Sequence, residues 1–439
     1  MKKILVSVLA LTILMAACLS GCGLAKAENP TPAAEAGTAD STEKTEINYW
    51  FCIGSALEAV VQGQIDDFNA SQDRIHVTGT FQGYYGDASA KIQQALVAGT
   101  QPEIVMLERA TVPQYNAVGA LEDLTPYMER DNFDINDFNQ GLMNFSVYDG
   151  KIVSLPLNRS TPIMFYNKDA FAVAGLDPEA PPATWDEMLE MAAKLTIKEG
   201  GTVKQYGIEF PVDTFVFQSL IPQAGGTMLN ENLTDIGFNN ESGLAAFEYL
   251  MALRDTGVMK IPPAQDSYTV TKQDFYNGVT AMMIESTAAL RDSINATEGK
   301  FELGTAFLPG KDTYAVQTGG GNIAVLAACN QEKKDAAWEF IKFMYSEESG
   351  SKFVVDTGYI PVTNTIMNSK AVQEVWAMYP QYKVAYDQLQ YVVEPGQHEN
   401  WSQINTVINN DIQAVLFENK LTPQEALDDI SAQTVKILK

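Results

Sequence analysis

Apolar positions along the chain follow two periods, one typical of strands and the other of helices. The segment INYWFCI (47–53) is β-branched and aromatic, which predicts a strand. In SALEAVVQGQIDDFNA (55–70) the apolar positions lie three and four residues apart, which predicts a helix with Ser55 as its N-cap. The next segments predict a strand in RIHVTGTF (74–81), a helix in DASAKIQQALVAG (87–99) and a strand in PEIVMLE (102–108).

This order of strand, helix, strand, helix and strand predicts a parallel sheet covered by its crossover helices. In such sheets ligands bind outside the carboxyl ends of the strands. Here those ends carry Trp50, Tyr84, Tyr85 and Glu108, which makes these side chains candidates for a binding site.

A second α/β pattern occupies the rest of the chain. The polar insert Asn158-Arg159-Ser160-Thr161 interrupts an apolar, strand-like segment (150–176), which indicates either an exposed turn or the wall of a site. Further along, Thr184 and Glu187 form the capping box of a helix predicted in PPATWDEMLEMAAKL (181–195). Short strands and helices alternate up to the triplet GGG (319–321), which enters a strand, and the remainder is predicted to be helical.

The N-terminus has a different pattern. Lys2 and Lys3 precede an apolar run (4–17) that is shorter than the about 20 residues of a spanning helix, as in a secretory signal peptide. LSGC (19–22) resembles the bacterial lipoprotein box, which implies that residues 1–21 are a signal peptide and that Cys22 is lipidated. The alternative is an ordinary secretion signal with an incidental cysteine. Residues 22–45 contain almost no large apolar side chain after the cysteine, so they are expected to form a disordered tether.

Composition narrows the function classes. The 439 residues suggest two domains once the leader and tether are subtracted. The formal net charge of −26 argues against nucleic-acid binding, which needs a basic surface. We find no metal-ligand spacing, nucleophile motif or phosphate loop, and therefore expect no metal, no cofactor and no enzymatic activity. Cys52 and Cys329 are expected to be two buried thiols, with a disulfide between them as the alternative.

Six segments in register carry a family resemblance that spans the body of the chain. They are INYWF (47–51), AGTQPEIVML (98–107), LPLNRSTPIMFYNKDAFAVAGLDPEAPPATWDEM (155–188), FYNGVTAMMIEST (275–287), TGGGNIAV (318–325) and TGYIPV (357–362). Together they resemble the extracellular solute-binding proteins (family 1) of bacterial carbohydrate ABC importers. The glycerol-3-phosphate-binding branch is the most similar, because of residues 160–185 and the final KLTPQEALD (420–428).

The resemblance implies an α/β, two-lobe periplasmic-binding-protein-like fold of type II (Venus-flytrap), with discontinuous lobes and a hinge cleft. Carried onto this chain, the N-terminal lobe is 46–157 plus 286–335 and the C-terminal lobe is 158–285 plus 336–439. The chain would then cross between the lobes near Asn158, near Glu285 and near Trp338, so the polar insert would lie beside the cleft.

The resemblance also implies which residues hold a ligand in the cleft. Tyrosines offer a ring and a hydroxyl, carboxylates accept hydroxyl hydrogens, and glycines let the backbone approach closely. The implied ligand-binding residues are Tyr85, Glu108, Ser160, Ser286, Gly319, Gly320 and Tyr359, with Trp50, Arg159 and Trp401 as further candidates. The structural alternatives are packing for Tyr359, a surface carboxylate for Glu108 and a turn for the glycines.

The chain departs from the glycerol-3-phosphate branch in two places. PGQHENWSQI (395–404) lacks the arginine that would pair with a phosphate, and Arg159 stands where the branch has a small residue. Arg159 would either supply a charge to the ligand or point to solvent. Phe215 and Phe217 stand where the branch carries tryptophans.

The function expected from the resemblance is that of a lipid-anchored, extracellular substrate-binding protein. It would capture a carbohydrate or polyol in the interlobe cleft and deliver it to an ABC permease, as a monomer on the outer face of a Gram-positive cell. A binding protein for glycerol 3-phosphate or a glycerophosphodiester is the alternative. Two hypotheses come from other functional classes: a secreted glycan-active enzyme, and an adhesion or scaffold lipoprotein.

Overall fold

The computed structural model of the protein describes residues 44–439 with the exception of positions 265, 394, 395 and 397. The predicted signal peptide (1–21), the lipidation site at Cys22 and the tether up to residue 43 lie outside the described residues. No helix in the described part of the chain combines the length and apolar character that crossing a bilayer requires.

The described chain alternates between strands and helices along its first three quarters and is helical at its end. The strands are β1 (Thr45–Phe51), β2 (Ile75–Phe81), β3 (Ile104–Glu108), β4 (Val147–Tyr148), β5 (Lys151–Ile152), β6 (Leu155–Ser160), β7 (Pro162–Asn167), β8 (Ile197–Glu199), β9 (Thr202–Glu209), β10 (Thr227–Leu229), β11 (Ile236–Gly237), β12 (Met259–Lys260), β13 (Thr280–Ser286), β14 (Leu303–Ala306) and β15 (Gly319–Val325). The helices are α1 (Ala56–Ser71), α2 (Tyr85–Ala98), α3 (Val112–Ala117), α4 (Thr125–Asp131), α5 (Lys168–Val173), α6 (Trp185–Leu195), α7 (Thr214–Gln223), α8 (Glu241–Asp255), α9 (Ser267–Tyr276), α10 (Leu290–Thr297), α11 (Gln331–Met344), α12 (Glu347–Thr357), α13 (Asn364–Asn368), α14 (Lys370–Met378), α15 (Gln381–Gln388), α16 (Trp401–Leu416) and α17 (Pro423–Ile437).

Two sheets, one of five strands and one of six, organise the fold. The first sheet has the order β2-β1-β3-β15-β6, in which β1 runs parallel to β2 and β3, as predicted, and β15 runs antiparallel to β3 and β6. The second sheet has the order β12-β9-β13-β7-β14, with β8 paired to β9. There β13 is parallel to β9 and antiparallel to β7.

The apolar core is divided in the same way. One cluster joins the first sheet to α1, α11 and α12, and it also reaches the inner ends of the second sheet through Ile163 and Met283. A second cluster joins the opposite face of the second sheet to α6, α7, α8, α16 and α17. A small third cluster packs α2 and α3 on the first sheet.

The chain passes directly from one sheet to the other between β6 and β7, at Thr161. The polar insert is therefore not an exposed turn, because all four of its residues are buried at this junction. Val316 and Val392 form an isolated parallel bridge, in which Val316 N donates to Tyr391 O and Val393 N donates to Val316 O.

Two segments lie elsewhere than the predicted lobe ranges put them. β14 belongs to the second sheet although it falls within 286–335, and α11 and α12 pack on the first sheet although most of their residues fall within 336–439. Hydrophobic periodicity predicts that a strand or helix is half-buried, but it does not say which of two similar sheets the element covers. The exact lobe boundaries therefore stay a prediction.

Local signals in the sequence had mixed outcomes. The predicted capping box of α6 is confirmed, with the Thr184 hydroxyl accepting from Glu187 N and the Glu187 carboxylate accepting from Thr184 N. Ser55 does precede α1, but its side chain makes no cap hydrogen bond and its φ is 59°. Cys52 and Cys329 are both free thiols.

Candidate functional site

The carboxyl end of the first sheet brings three of the predicted residues together. Tyr85 begins α2, Glu108 ends β3, and Tyr359 follows α12. Tyr359 is 5% exposed, its ring stacks on Phe353 at 5.7 Å, and burial raises the pKa of its hydroxyl to about 12. Burial raises the pKa of Tyr85 well above its ordinary value, and the charges of Tyr359 and Glu108 add to that effect.

Asn158, which was not predicted as a site residue, joins the two tyrosines. Its Nδ2 donates to the Tyr85 hydroxyl oxygen at 2.8 Å, and a hydrogen bond from the same amide lowers the pKa of Tyr359 against the effect of burial. Asn158 is fully buried, and among the described residues its Oδ1 has no hydrogen-bond partner. That oxygen is an acceptor available to a ligand or a water molecule.

Glycines 319 and 320 allow close packing around this amide. A side chain on Gly319 would place its Cβ 2.7 Å from the Phe215 ring and 3.0 Å from the Ser160 hydroxyl. Gly320 has φ +87°, and a Cβ there would lie 1.8 Å from the carbonyl oxygen of Asn158. These glycines lie in a bulged strand pairing with β6 and not in a turn.

The second sheet contributes a group of polar side chains at its own carboxyl end. Tyr268, at the start of α9, donates its hydroxyl to Asp213 Oδ2 at 2.5 Å. Ser286 ends β13; its hydroxyl accepts from Ala288 N, and its N–H donates to Glu285 Oε1 at 2.7 Å. Burial raises the pKa of Asp213 and raises that of Glu285 to about 8.

Glu108 of the first group contributes to the electrostatic environment of Tyr268 in the second. Burial raises the pKa of Glu108, and Arg109 lowers it in part. Burial also raises the pKa of Tyr268 well above its ordinary value, and the charges of Asp213, Glu285 and Glu108 add to that effect. Tyr268 nevertheless keeps 36% of its surface accessible, so it lines a space that solvent enters.

The three further candidates from the sequence lie elsewhere. Arg159 is fully buried and donates to Asn322 Oδ1 at 3.0 Å and to the Thr318 hydroxyl, so it does not point to solvent. Trp401 is 2% exposed within the core of the second sheet, where it has little surface for stacking. Trp50 is half-buried and packs against the small third cluster.

Sequence reasoning missed Asn158, Asp213, Tyr268 and Glu285 as site residues. Asp213 and Glu285 stand at or just beyond the carboxyl ends of β9 and β13, so the rule that selected Glu108 could have found them. Tyr268 lies in a helix with no distinctive local pattern, and only the fold brings it to Asp213.

The arrangement is suited to hydrogen bonding rather than to metal binding. No group of three or more His, Cys, Asp or Glu side chains within the described ranges is placed to hold a metal ion. The residues described above offer carboxyls, tyrosine hydroxyls and an amide, together with the rings of Phe215 and Tyr268. Such a set can accept and donate hydrogen bonds to hydroxyl groups while a ring covers an apolar face.

Comparison with known proteins gives consistent results. A sequence model of the family described as bacterial extracellular solute-binding protein matches residues 63–382. The sn-glycerol-3-phosphate-binding periplasmic protein UgpB of Pectobacterium atrosepticum is 26% identical over 411 residues, covering 89% of this chain and 90% of that protein.

Solved structures show the same architecture. An ABC substrate-binding protein from Listeria monocytogenes in complex with cycloalternan is 28% identical with a TM-score of 0.80, covering 90% of this chain and 99% of that one. UgpB from Mycobacterium tuberculosis in complex with glycerophosphocholine is 22% identical, also with a TM-score of 0.80 and coverages of 90% and 99%. The predicted two-lobe α/β fold is confirmed by these neighbours.

Proposed function

The chain belongs to the family of bacterial extracellular solute-binding proteins, and from this premise we propose that it captures a carbohydrate or polyol between its two lobes. It would then deliver the solute to the permease of an ABC importer. The relative from Listeria monocytogenes, an ABC substrate-binding protein, was solved in complex with cycloalternan.

One observation supports this proposal above all others. Gly319 on β15 of the first sheet lies so close to Phe215 of α7 that a Cβ there would be 2.7 Å from the Phe215 ring, and the charge of Glu108, at the end of β3, acts on the Tyr268 hydroxyl of α9, which packs on β13 of the second sheet. Ligands of α/β sheets bind at this end of the strands. A solute held there would contact both lobes.

Each predicted residue has a role in this proposal. Glu108 would accept hydrogen bonds from ligand hydroxyls, and Tyr85 and Tyr359, held by Asn158, would line the first-lobe wall. Ser160 and Ser286 would offer small polar groups on either side. Because Gly319 has no side chain, it would leave room for the Phe215 ring, and Gly320 would in the same way leave room for the Asn158 carbonyl.

Glycerol 3-phosphate or a glycerophosphodiester is the second candidate ligand class. The relative from Pectobacterium atrosepticum, an sn-glycerol-3-phosphate-binding protein, favours it. A phosphate needs a cation or a set of donors in the site. Arg159, the residue proposed from the sequence to supply that cation, is enclosed among Asn322, Thr318 and Tyr345.

We further propose that the protein is a binding protein and not an enzyme. The relatives named above are binding proteins. Glu108, Asp213 and Glu285 would serve as hydrogen-bond partners of the solute. Assays of glycan turnover test this directly, since a glycan-active enzyme would release product from a saccharide that the protein binds.

The place of the protein in the cell is also a proposal. Lipidation of Cys22 would anchor it to the membrane, with residues 23–45 as a tether and the body as a monomer on the outer face of a Gram-positive cell. The acidic composition, with a formal net charge of −26, argues that the lipid and not the protein surface provides the attachment.

A thermal-shift screen tests the proposed function. Neutral saccharides, polyols, amino sugars, glycerol 3-phosphate and glycerophosphocholine are added singly to the folded body (residues 44–439). A true ligand at 100 times its dissociation constant should stabilise the folded state by about 2.7 kcal/mol. An unchanged unfolding midpoint with every compound would contradict solute binding of either class.

A further inference from the structure

Two amide side chains at the end of α1 bond to the backbone of the neighbouring strand β2. Asn69 donates from Nδ2 to Val77 O at 2.9 Å, and its Oδ1 accepts from Val77 N at 2.9 Å. Gln72 donates from Nε2 to Ile75 O at 2.7 Å, and its Oε1 accepts from Ile75 N at 2.8 Å. Each amide therefore satisfies both the N–H and the C=O of one strand residue, as a neighbouring strand would.

These bonds are made on the free side of β2, which is an outer strand of the first sheet. The backbone groups of successive strand residues point to opposite edges, and Gln82 N, directly after β2, donates to Phe51 O of β1. The even positions therefore face β1, and Ile75 and Val77 face the free edge. The exposed side chains of Thr78 and Thr80 show that this edge lies at the protein surface.

The spacing of the two amides along α1 matches the spacing of the edge-facing residues along β2. Ile65, Asn69 and Gln72 follow each other at helical intervals on one face of α1. Ile65 lies at Gly79, where a Cβ would be 2.3 Å from its Cδ1. One helical turn advances about 5.4 Å and two strand residues advance about 6.6 Å. Successive side chains of this helix face thus reach successive edge-facing residues of the strand.

Other outer strands of the two sheets are short or are covered by helices. The Tyr345 hydroxyl, directly after α11, donates to Pro156 O of β6 at 2.8 Å. Helix α15 packs on β14, where Gln381 Nε2 donates to Leu303 O at 2.9 Å. Strand β12 has two residues. At β2 two side chains make the edge bonds, so two substitutions should remove them.

We propose that Asn69 and Gln72 close the edge of the first sheet against the same strand of a second copy of this chain. An outer strand with unpaired backbone groups is a template for another strand. Two β2 strands could pair antiparallel about a twofold axis, because the edge would meet an identical edge. The inference rests on the monomeric state proposed above and does not depend on the solute.

A purely local role for the amides is the competing explanation. Gln72 Oε1 also accepts from Arg74 N at 2.8 Å, so it shapes the connection between α1 and β2. Loss of either amide should lower the stability whichever role is correct, and stability alone does not decide. Asn69→Asp with Gln72→Glu does decide, because it keeps the acceptors, removes the donors and places charges at the edge that oppose pairing.

Light scattering of the purified chain tests the proposal. The chain begins at residue 23, so that a lipid on Cys22 cannot associate the copies, and a reductant keeps Cys52 and Cys329 as thiols. Molar mass is measured over a dilution series, with enough salt to screen the repulsion between acidic copies. The proteins compared are the wild type, Asn69→Ala/Gln72→Ala, Asn69→Asp/Gln72→Glu and the control Gln62→Ala/Gln93→Ala.

The control removes two amides that bond within their own helices, Gln62 to Asp66 in α1 and Gln93 to Ser89 in α2. The wild type, the control and the charged variant should be monomers at every concentration. The double alanine variant should approach about twice the monomer mass as its concentration rises. Hydrogen exchange of residues 75–81 should be slower in its associated form than in its diluted form, because the edge amides are then paired.

Four outcomes overturn the proposal. They are a folded double alanine variant that stays monomeric, association of the charged variant to the same extent, association without slower exchange in residues 75–81, and a wild type already paired through β2. If the double alanine variant does not fold, Asn69→Ala and Gln72→Ala are measured singly, since each uncovers one strand residue. Solute binding is tested separately by the thermal-shift screen, so failure of one leaves the other standing.

Discussion

Asn158 donates from its Nδ2 to the hydroxyl oxygen of Tyr85 at 2.8 Å, which connects β6, an edge strand of the first sheet, to the start of α2. Asn158 lies in β6, one strand residue before the fully buried Arg159 and three residues before the chain passes to the second sheet. The same amide also lowers the pKa of Tyr359, against the larger effect of burial. One buried side chain thus holds one of the predicted ligand contacts, influences a second, and lies beside the junction between the sheets.

Replacing Asn158 by alanine should lower both the stability and the ligand affinity of the protein. Tyr85 would lose its donor, and the free energy of unfolding should fall by about 1–3 kcal/mol, the range for leaving a buried polar group unpaired. Denaturant unfolding checks this. Asn144→Ala is the control, because Asn144 is exposed and its amide donates only to Gly141 O at 3.4 Å. Equal stability of the two variants would contradict the role given to Asn158.

Replacing Gly320 by alanine should destabilise the fold by at least about 2 kcal/mol. The φ of +87° disfavours any other residue, and the new Cβ would lie 1.8 Å from Asn158 O. Gly86→Ala is the matched control in α2, where a Cβ meets no atom within 4 Å and alanine should gain up to about 1 kcal/mol. Denaturant unfolding should therefore show a loss of stability for Gly320→Ala and a gain for Gly86→Ala. An unchanged stability of Gly320→Ala would contradict this and show that the strand can shift.

Glu285 should make the protein less stable as the pH rises. Burial raises its pKa to about 8, so between about pH 4.5 and 8 the folded state holds a proton that the unfolded state has lost. The stability of Glu285→Gln, compared with that of the wild type at each pH, should therefore rise from about pH 4.5 to 8 and then level off.

Because the variant and the wild type differ only at residue 285, the difference between their stabilities at each pH reports on the Glu285 carboxyl alone. Burial also raises the pKa of Glu209 and of Asp411 to about 7, and both contribute to the wild-type profile with the same sign. A pH-independent difference between Glu285→Gln and wild type would show that Glu285 is ionised in the folded protein.

The sequence predicted the first sheet closely because each of its elements has a strong local signal. The predicted bounds of β1, α1, β2 and β3 differ from those observed by about two residues. The polar insert could not be interpreted with the same certainty. Asn158 bonds a tyrosine 73 positions away and Arg159 bonds an asparagine 163 positions away, and no local pattern reports such partners.

Local sequence patterns could not predict the site residues that the second lobe contributes. Asp213 and Tyr268 are 55 positions apart and meet only because α9 packs across β13. Trp401, a stacking candidate from the sequence, is enclosed by the core of the second sheet, which leaves it little surface for stacking. An aromatic side chain suits both core packing and stacking on a ligand, and its burial in the fold decides between these two roles.

Lipidation of Cys22 gives a prediction for the part of the chain outside the described residues. Mass spectrometry of the mature wild-type protein should find a diacylglyceryl group on Cys22 at the N-terminus. Cys22→Ala should leave an uncleaved precursor or release the protein into the medium, while Cys18→Ala, within the leader, should be lipidated as the wild type. An unmodified N-terminus at another residue would rule out the anchor.

Calorimetry of the best saccharide from the screen, with variants on both sides of the cleft, tests the central claim that a solute is held between the two lobes. Glu108→Gln alters the first sheet and Asp213→Asn alters the second, and Glu248→Gln serves as the exposed control. Both cleft variants should remain folded and lose about 1–3 kcal/mol of binding free energy, the cost of an impaired buried hydrogen bond, while the control binds as the wild type. Full affinity in both cleft variants would place the ligand elsewhere on the protein and contradict the account.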